Sequence, residues 1–315
     1  MPAHSTPRDF DIVVVGELNA DLILTGNVTP AFGQVEKLVD DATLTIGSSS
    51  AIFACGVARL GLRTAFIGKV GDDIFGQFMK NSLAERGIDV SGIVVDPSLK
   101  TGLTVILSRG NDRAILTYLG SISALTYADI DQALIARARH LHLGSYYLLD
   151  SLRPICPRLF ADAHQHGLTV SLDTNYDPTE QWQGGITDTL AHTDVFLPNE
   201  AELHAISRQP TTDNALRALH QQVGLIAVKQ GAQGATAIHN GGLFTAGSIP
   251  VQVVDTTGAG DSFDAGFIYG YLNDWTLTDS LRLGCICGAL STRAAGGTAA
   301  QATLSEAQAH LAALP

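Results

Sequence analysis

Basic side chains, cysteines and long apolar runs are scarce in this sequence, and each scarcity narrows the function. Lys and Arg total 19 against 31 Asp and Glu, for a net charge of −12. Nucleic-acid binders carry a basic excess to neutralise phosphates, so this balance argues against a nucleic-acid partner. Anions can still be held by local donors: backbone N–H groups, a helix N-terminus, a few placed cations or a metal. No apolar run approaches the roughly 18 residues of a membrane span. Met1–Asp9 lacks the apolar centre of a signal peptide. A soluble, cytoplasmic protein without a membrane partner is expected.

The 4 cysteines are Cys55, Cys156, Cys285 and Cys287, and no His or Cys cluster stands beside the close pair. Reduced, buried thiols are expected rather than a zinc site or disulfides. His140 with His142, and His164 with His166, have strand-face spacing but no matching third ligand, and read as ordinary polar or core histidines. Two nucleotide motifs are missing. Without G-x-x-x-x-G-K-[ST] a Walker-type ATPase is excluded, and without G-x-G-x-x-G after the first strand a nicotinamide dehydrogenase is disfavoured.

What is present is a 45% hydrophobic chain of 315 residues, enough for a sizeable core. Asp11–Gly16 reads as a buried strand and Ser48–Leu60 as a helix with a small-residue face. Ala65–Gly68 is a strand, and Phe75–Arg86 a helix closed by Gly87. Strands over 139–144, 168–173, 194–197 and 225–229 alternate with helices over 153–166, 200–206 and 213–223. That alternation implies a mostly parallel sheet covered by helices on both faces. Two stretches break it. Thr101–Leu107 and Arg113–Leu119 form a hairpin pattern, and Leu18–Leu44 is β-rich. Segments 18–44 and 98–122 are read as a small β-lid sewn into the α/β body.

The most informative segment is Val254–Leu272, VDTTGAGDSFDAGFIYGYL. A strand over Ile249–Val254 is expected to run into Gly258-Ala259-Gly260-Asp261, where a helix begins. Glycines there permit a tight turn and leave N–H groups unobstructed. Those N–H groups and the helix dipole suit a phosphate or a phosphoryl group in transfer. Asp261 is then placed to accept a proton from an incoming hydroxyl, unless it is only a helix-start carboxylate. Asn19 and Asp21, just past the first strand, either hold neighbouring sugar hydroxyls or close the strand as an Asx turn.

The run D-T-T-G-A-G-D-S-F followed by D-A-G-F resembles the C-terminal signature of the ribokinase-like (phosphofructokinase-B type) carbohydrate kinases. Four further motifs follow the family's order. They are Gly16–Asp21 with its N-x-D; Gly47–Gly61 with Ile67–Gly76; Asn199-Glu200-Ala201-Glu202 as N-x-x-E; and Val228–Ala235 as V-K-x-G-x-x-G-A. The resemblance covers nearly the whole chain and implies one ribokinase-like α/β kinase domain over 1–315. It also implies ATP and Mg²⁺ as cofactors and a small sugar as substrate, joined by a monovalent cation such as K⁺. By that likeness Asp261 is the base, and Gly258, Ala259 and Gly260 form the anion hole. Asn19, Asp21, Gly47, Ser48, Ser49, the position of Ile52, and Tyr146 meet the sugar. Asn199, Lys229, Gly231, Gly234 and Cys285 meet the nucleotide. Glu202 acts on Mg²⁺ indirectly, and Asp255, with Gly296 and Gly297, closes the cation loop.

The sequence departs from the family at three places. Ser48 replaces a second glycine, and Ile52 stands where an asparagine usually contacts the sugar, which makes ribose a poor candidate. Ser48, Ser49 and Ser50 supply hydroxyls to the ligand or cap the helix. Cys285 stands where an asparagine often lies beside adenine. Tyr146 and Tyr147 stack on a ligand or belong to the core. The expected activity is transfer of the γ-phosphoryl group of ATP to a sugar hydroxyl; a nucleoside kinase and a non-catalytic sugar-binding regulator are the alternatives. The resemblance also implies a homodimer through the lid, with Val105 and Ile115 as apolar lid contacts.

Overall fold

The computed structural model describes residues 8–109 and 112–314. The first seven residues and the Gly110-Asn111 turn of the expected hairpin lie outside that range. The chain opens with β1 (Phe10–Val15), β2 (Asn19–Thr25), β3 (Asp41–Ile46), α1 (Ser49–Arg59), β4 (Thr64–Gly71) and α2 (Ile74–Ala84). It continues through β5 (Asp89–Asp96), β6 (Gly102–Arg109), β7 (Asp112–Tyr118), α3 (Gln132–Ile135), β8 (Ala138–Leu143), α4 (Cys156–Gln165) and β9 (Thr169–Leu172). Next come α5 (Ile186–Leu190), β10 (Val195–Phe196), α6 (Glu200–Ser207), α7 (Thr212–Leu219) and β11 (Leu225–Lys229). The chain closes with β12 (Ala235–His239), β13 (Gly242–Ala246), α8 (Ala259–Leu272), α9 (Leu277–Ser291) and α10 (Leu304–Ala312).

The large sheet has the order β13-β12-β11-β10-β9-β8-β1-β4-β5. Its pairs are parallel except those of β12 with β11 and β13. In β1 the residues Ile12 to Val15 are all fully buried, as expected of a strand covered on both faces. Side-chain alternation sends Ile12 and Val14 to a core with Phe53, Phe263 and Phe267, and Val13 and Val15 to one with Phe160 and Leu216. Buried His140 and His142 are satisfied by hydroxyls: His140 Nε2 and His142 Nδ1 lie 2.7 and 2.8 Å from Ser171 Oγ. His142 also stacks on Phe53. Burial holds both imidazoles below their usual pKa, so they sit neutral in the core. All four cysteines are free and buried. No described helix is long and apolar enough to cross a membrane.

A separate four-stranded sheet runs β3-β2-β6-β7. Its register settles which residues share a face. Leu44, Leu22, Val105 and Leu116 form one row across it. Thr45, Asp21, Thr104 and Thr117 form a row on the opposite face, which looks toward the α1 and α8 N-termini. Val105 and Ile115 therefore point to opposite sides, and Leu116 is the outward partner of Val105. The expected strand over Ile249–Val254 does not form. Ile249, Val251 and Val253 line a cleft instead of joining a ladder, and Pro250 has no N–H to give one.

Candidate active site

Asp261 stands in the first turn of α8, whose N-cap Gly258 has φ 71°. A Cβ on Gly258 would lie 2.7 Å from Gly297 Cα, so both conformation and space demand glycine. The side chain of Ile52 packs on the same two glycines. It braces the turn from the side where a sugar-binding amide was expected. Of the turn's N–H groups, that of Ala259 donates to Thr256 O at 3.2 Å. Burial, and next the carboxylate of Asp173, raise the pKa of Asp261 well above its usual value, while Lys229 and a hydrogen bond from Ser49 oppose them.

Three adjacent serines at the α1 N-terminus do three different jobs. Ser48 caps the helix, accepting from Ala51 N at 3.0 Å and donating to Glu17 O at 2.6 Å. The Ser49 hydroxyl faces Asp261 and accepts from Asn175 Nδ2 at 3.0 Å. Ser50 donates to the buried carboxylate of Glu17, which also accepts from Ser145 Oγ at 2.8 Å. Asn175, in the left-handed region at φ 54°, also donates to Ser145 Oγ at 3.2 Å. A polar network thus runs from Asp261 through Ser49 and Asn175 to Glu17. Sequence reasoning missed Asn175; the one available signal was the Asp-Thr-Asn run after a sheet strand, where open α/β sheets bind ligands.

Asn19 and Asp21 lie beside that network. Asn19 Nδ2 donates to Asp21 Oδ1 at 2.8 Å and to Thr104 Oγ1 at 3.2 Å. Gly47 lets them approach, since a Cβ there would meet Asp21 Oδ1 at 2.1 Å. Burial pushes the Asp21 carboxyl up to about 6. Tyr146 is not part of this group. Ser145 turns the chain in the left-handed region, and Tyr146 is fully buried in the opposite core with its hydroxyl on Gly184 O at 2.8 Å.

On the other side of the α8 N-terminus lies a cleft of 590 Å³. Lys229, Gly231, Gly234, Gly260 and Cys285 line it, with apolar walls that include Ile249, Val251 and Phe263. Lys229 is not loose in it: Nζ is 2.7 Å from Asp173 Oδ2 and 2.9 Å from Asp264 Oδ2. Although burial disfavours its charge, those carboxylates hold the ammonium protonated. Asp173 stays ionised against its burial because of Lys229. Asp264 is raised by burial, and its Oδ1 is buried without a partner.

Asn199 and Glu202 form a reciprocal cap on α6: Asn199 N donates to Glu202 Oε2, and Glu202 N to Asn199 Oδ1, each at 2.9 Å. Glu202 is buried rather than solvated, and burial raises its pKa. Asp255 is ringed by donors: Thr257 N and Oγ1 reach Oδ1 at 2.9 and 2.8 Å, and Gly296 N reaches Oδ2 at 2.9 Å. Arg113 Nη1 stands 3.6 Å from the same carboxylate. Such a ring of donors and positive charge does not fit a monovalent cation at Asp255.

Large parallel sheet, smaller sheet and helix-start turn together define the ribokinase-like α/β fold. A crystal structure from E. coli designated ribokinase II, in complex with ATP and Mg²⁺, superposes with TM-score 0.88 at 24% identity, covering 97% of this chain and all of that one. Residues 9–304 match the model described as pfkB family carbohydrate kinase. A 5-dehydro-2-deoxygluconokinase of Geobacillus kaustophilus is 31% identical over 300 residues, covering 90% of this chain and 88% of its own. Fructokinase-2 of Solanum habrochaites is 30% identical over 279 residues, covering 83% and 85%. The chain belongs to the pfkB family of carbohydrate kinases.

The Lys229 cluster yields a stability prediction. Lys229→Met leaves Asp173 and Asp264 buried without their cation, and unfolding in urea should show a loss of about 3–5 kcal/mol. Restoring neutrality with Asp173→Asn and Asp264→Asn should recover most of it; a loss below about 1 kcal/mol in the single variant, no more than a surface pair is worth, would contradict this account.

Proposed function

We propose that this kinase transfers the γ-phosphoryl group of ATP to a hydroxyl of a small sugar or sugar derivative, with Asp261 as the base. The observation that carries this reading is the position of Asp261. It stands in the first turn of α8 and faces Ser49, from which hydrogen bonds lead through Asn175 and Ser145 to Glu17, with Asn19 and Asp21 lying beside that network. The acceptor hydroxyl, held by Asn19 and Asp21, gives its proton to Asp261 as its oxygen bonds to the γ-phosphorus and the bond to ADP breaks. The N–H groups of Gly258 and Gly260, and that of Ala259 on leaving Thr256 O, meet the charge spread over the transferring oxygens.

ATP fits the cleft: apolar walls suit a base, and the glycines of 231–234 and the α8 start suit phosphates. Among the described residues no cluster of three or more His, Cys, Asp or Glu is shaped for a metal. Magnesium bound with ATP would neutralise phosphate charge and would be held mainly by phosphate oxygens and water, with Glu202 acting on it indirectly. The burial of Tyr146 speaks against a nucleoside acceptor, since it removes an aromatic surface for a base. The smaller sheet serves as a lid over the acceptor. Its outward row, with Leu44 40% and Leu116 62% exposed, suits the same face of a second copy in a homodimer.

Four outcomes follow from this reading. Asp261→Asn should lower turnover at least about 10²-fold while the far-UV spectrum and nucleotide affinity are kept; a variant with more than about a tenth of wild-type turnover would remove Asp261 from the chemistry. Asp21→Ala should weaken acceptor binding tenfold or more, from the loss of roughly 1.5–3 kcal/mol of charged hydrogen bonding, and leave ATP affinity unchanged by calorimetry. Protonation of Asp21 should also raise the acceptor KM as pH falls through about 6. That break should be missing in Asp21→Asn, and its persistence would assign it to another group. Val105→Asp with Leu116→Asp should give monomers by light scattering with an intact circular dichroism spectrum, and a wild-type chain already monomeric at tens of micromolar would refute the dimer.

A further inference from the structure

Arg113 joins the smaller sheet to the turn before α8. It lies on β7, in the inward row with Ser108, Thr25 and Asp41, two residues from Ile115 and four from Thr117. Its Nη1 donates to Thr257 Oγ1 at 2.8 Å, across 144 residues of sequence. Thr257 in turn donates from both Oγ1 and N to Asp255 Oδ1, and Arg113 Nη1 stands 3.6 Å from that oxygen. The residue after Thr257 is Gly258, whose left-handed turn starts α8. The charge of the guanidinium also opposes the rise that burial causes in the Asp21 pKa. One side chain thus bears on both ends of the proposed transfer path.

We propose that Arg113 is a positioning residue, a latch by which the closed smaller sheet fixes the Thr257–Gly258 turn and brings positive charge to Asp255. The proposal rests on the phosphoryl-transfer reading for its consequence in catalysis, but the latch itself is a property of the free protein. Its chemistry suits the task. The Arg113 side chain is 42% exposed, so the pair is weak and can break each time the acceptor enters or leaves. A planar guanidinium can hold the Thr257 hydroxyl and face the Asp255 carboxylate together, which an ammonium cannot do with the same geometry.

The test pairs a structural with a kinetic readout. In Arg113→Gln, hydrogen exchange of the free protein should quicken across residues 112–118 and 255–261, with the melting temperature unchanged and exchange in β1 and β8 unaffected. With the best sugar acceptor found in a screen, turnover should drop about tenfold and the acceptor KM should rise, while the KM for ATP holds. Arg113→Lys should restore only part of the exchange protection. Potassium chloride should leave the wild-type rate unchanged against an equal concentration of tetramethylammonium chloride. Equal exchange in wild type and Arg113→Gln would overturn the latch, whatever the activity. So would a loss confined to acidic acceptors with the 255–261 exchange unchanged, since that would place the guanidinium on the substrate. Faster exchange with no change in kinetics would keep the contact and overturn its part in transfer. If no sugar is phosphorylated, the transfer reading fails while the exchange result still decides the latch.

Discussion

Between Asp173, just past β9, and Asp264, one turn into α8, the ammonium of Lys229 sits at 2.7 and 2.9 Å at the end of β11. Two strand ends and a helix from distant parts of the chain are fixed by one charge, buried where water cannot substitute for a lost partner. The spot a Cβ of Gly260 would occupy is 3.6 Å from Nζ, so the clamp lies directly beneath the turn that begins α8. Hydrophobic packing sets the layers in order, but it is tolerant of small slides between them. A paired charge with defined geometry is not, and the position of Asp261 relative to the cleft follows from it.

The same cluster divides the site into two electrostatic halves. On the cleft side, Lys229 offsets Asp173 and leaves the helix start free to meet phosphates. On the other side, Glu17, Asp21 and Asp261 gather, and beside the charges of Lys229 on Asp261 and of Arg113 on Asp21, hydroxyls and an amide compensate them. Ser49, Ser50, Ser145 and Asn175 are therefore more than capping residues. They give hydrogen-bond partners to carboxylates that burial places close together.

Much of the architecture was legible because it depends on short-range pattern. The alternation of β1, α1, β4 and α2 follows from apolar periodicity, and the turn before α8 from Gly258-Ala259-Gly260. What escaped depends on contacts that no local pattern encodes. Arg113 reads as one more charge in a hairpin, and its partner lies 144 residues away. Glu202 looks like a solvated helix-start residue, yet it is buried and feels the charges of Asp173 and Lys229 from distant parts of the chain. Ile249–Val254 has strand composition, yet Ile249, Val251 and Val253 face a cleft, and apolar content alone does not distinguish a cleft wall from a ladder. Tyr146 depended on one left-handed residue, Ser145, that sends the ring to the far core.

The four thiols divide unevenly between the two helical layers. Cys55 on α1 and Cys285 and Cys287 on α9 share the layer that carries α8, whereas Cys156 begins α4 in the opposite layer. Burial pushes each of them up to about 12, so at neutral pH almost none is in the reactive thiolate form. Cys285 borders the cleft, but an alkylating reagent can reach the other three only when a layer opens. The molecule therefore carries its own record of local unfolding. Labelling at position 156 reports on one side of the sheet and labelling at 55 and 287 on the other, while labelling at 285 would report on whether the cleft is filled.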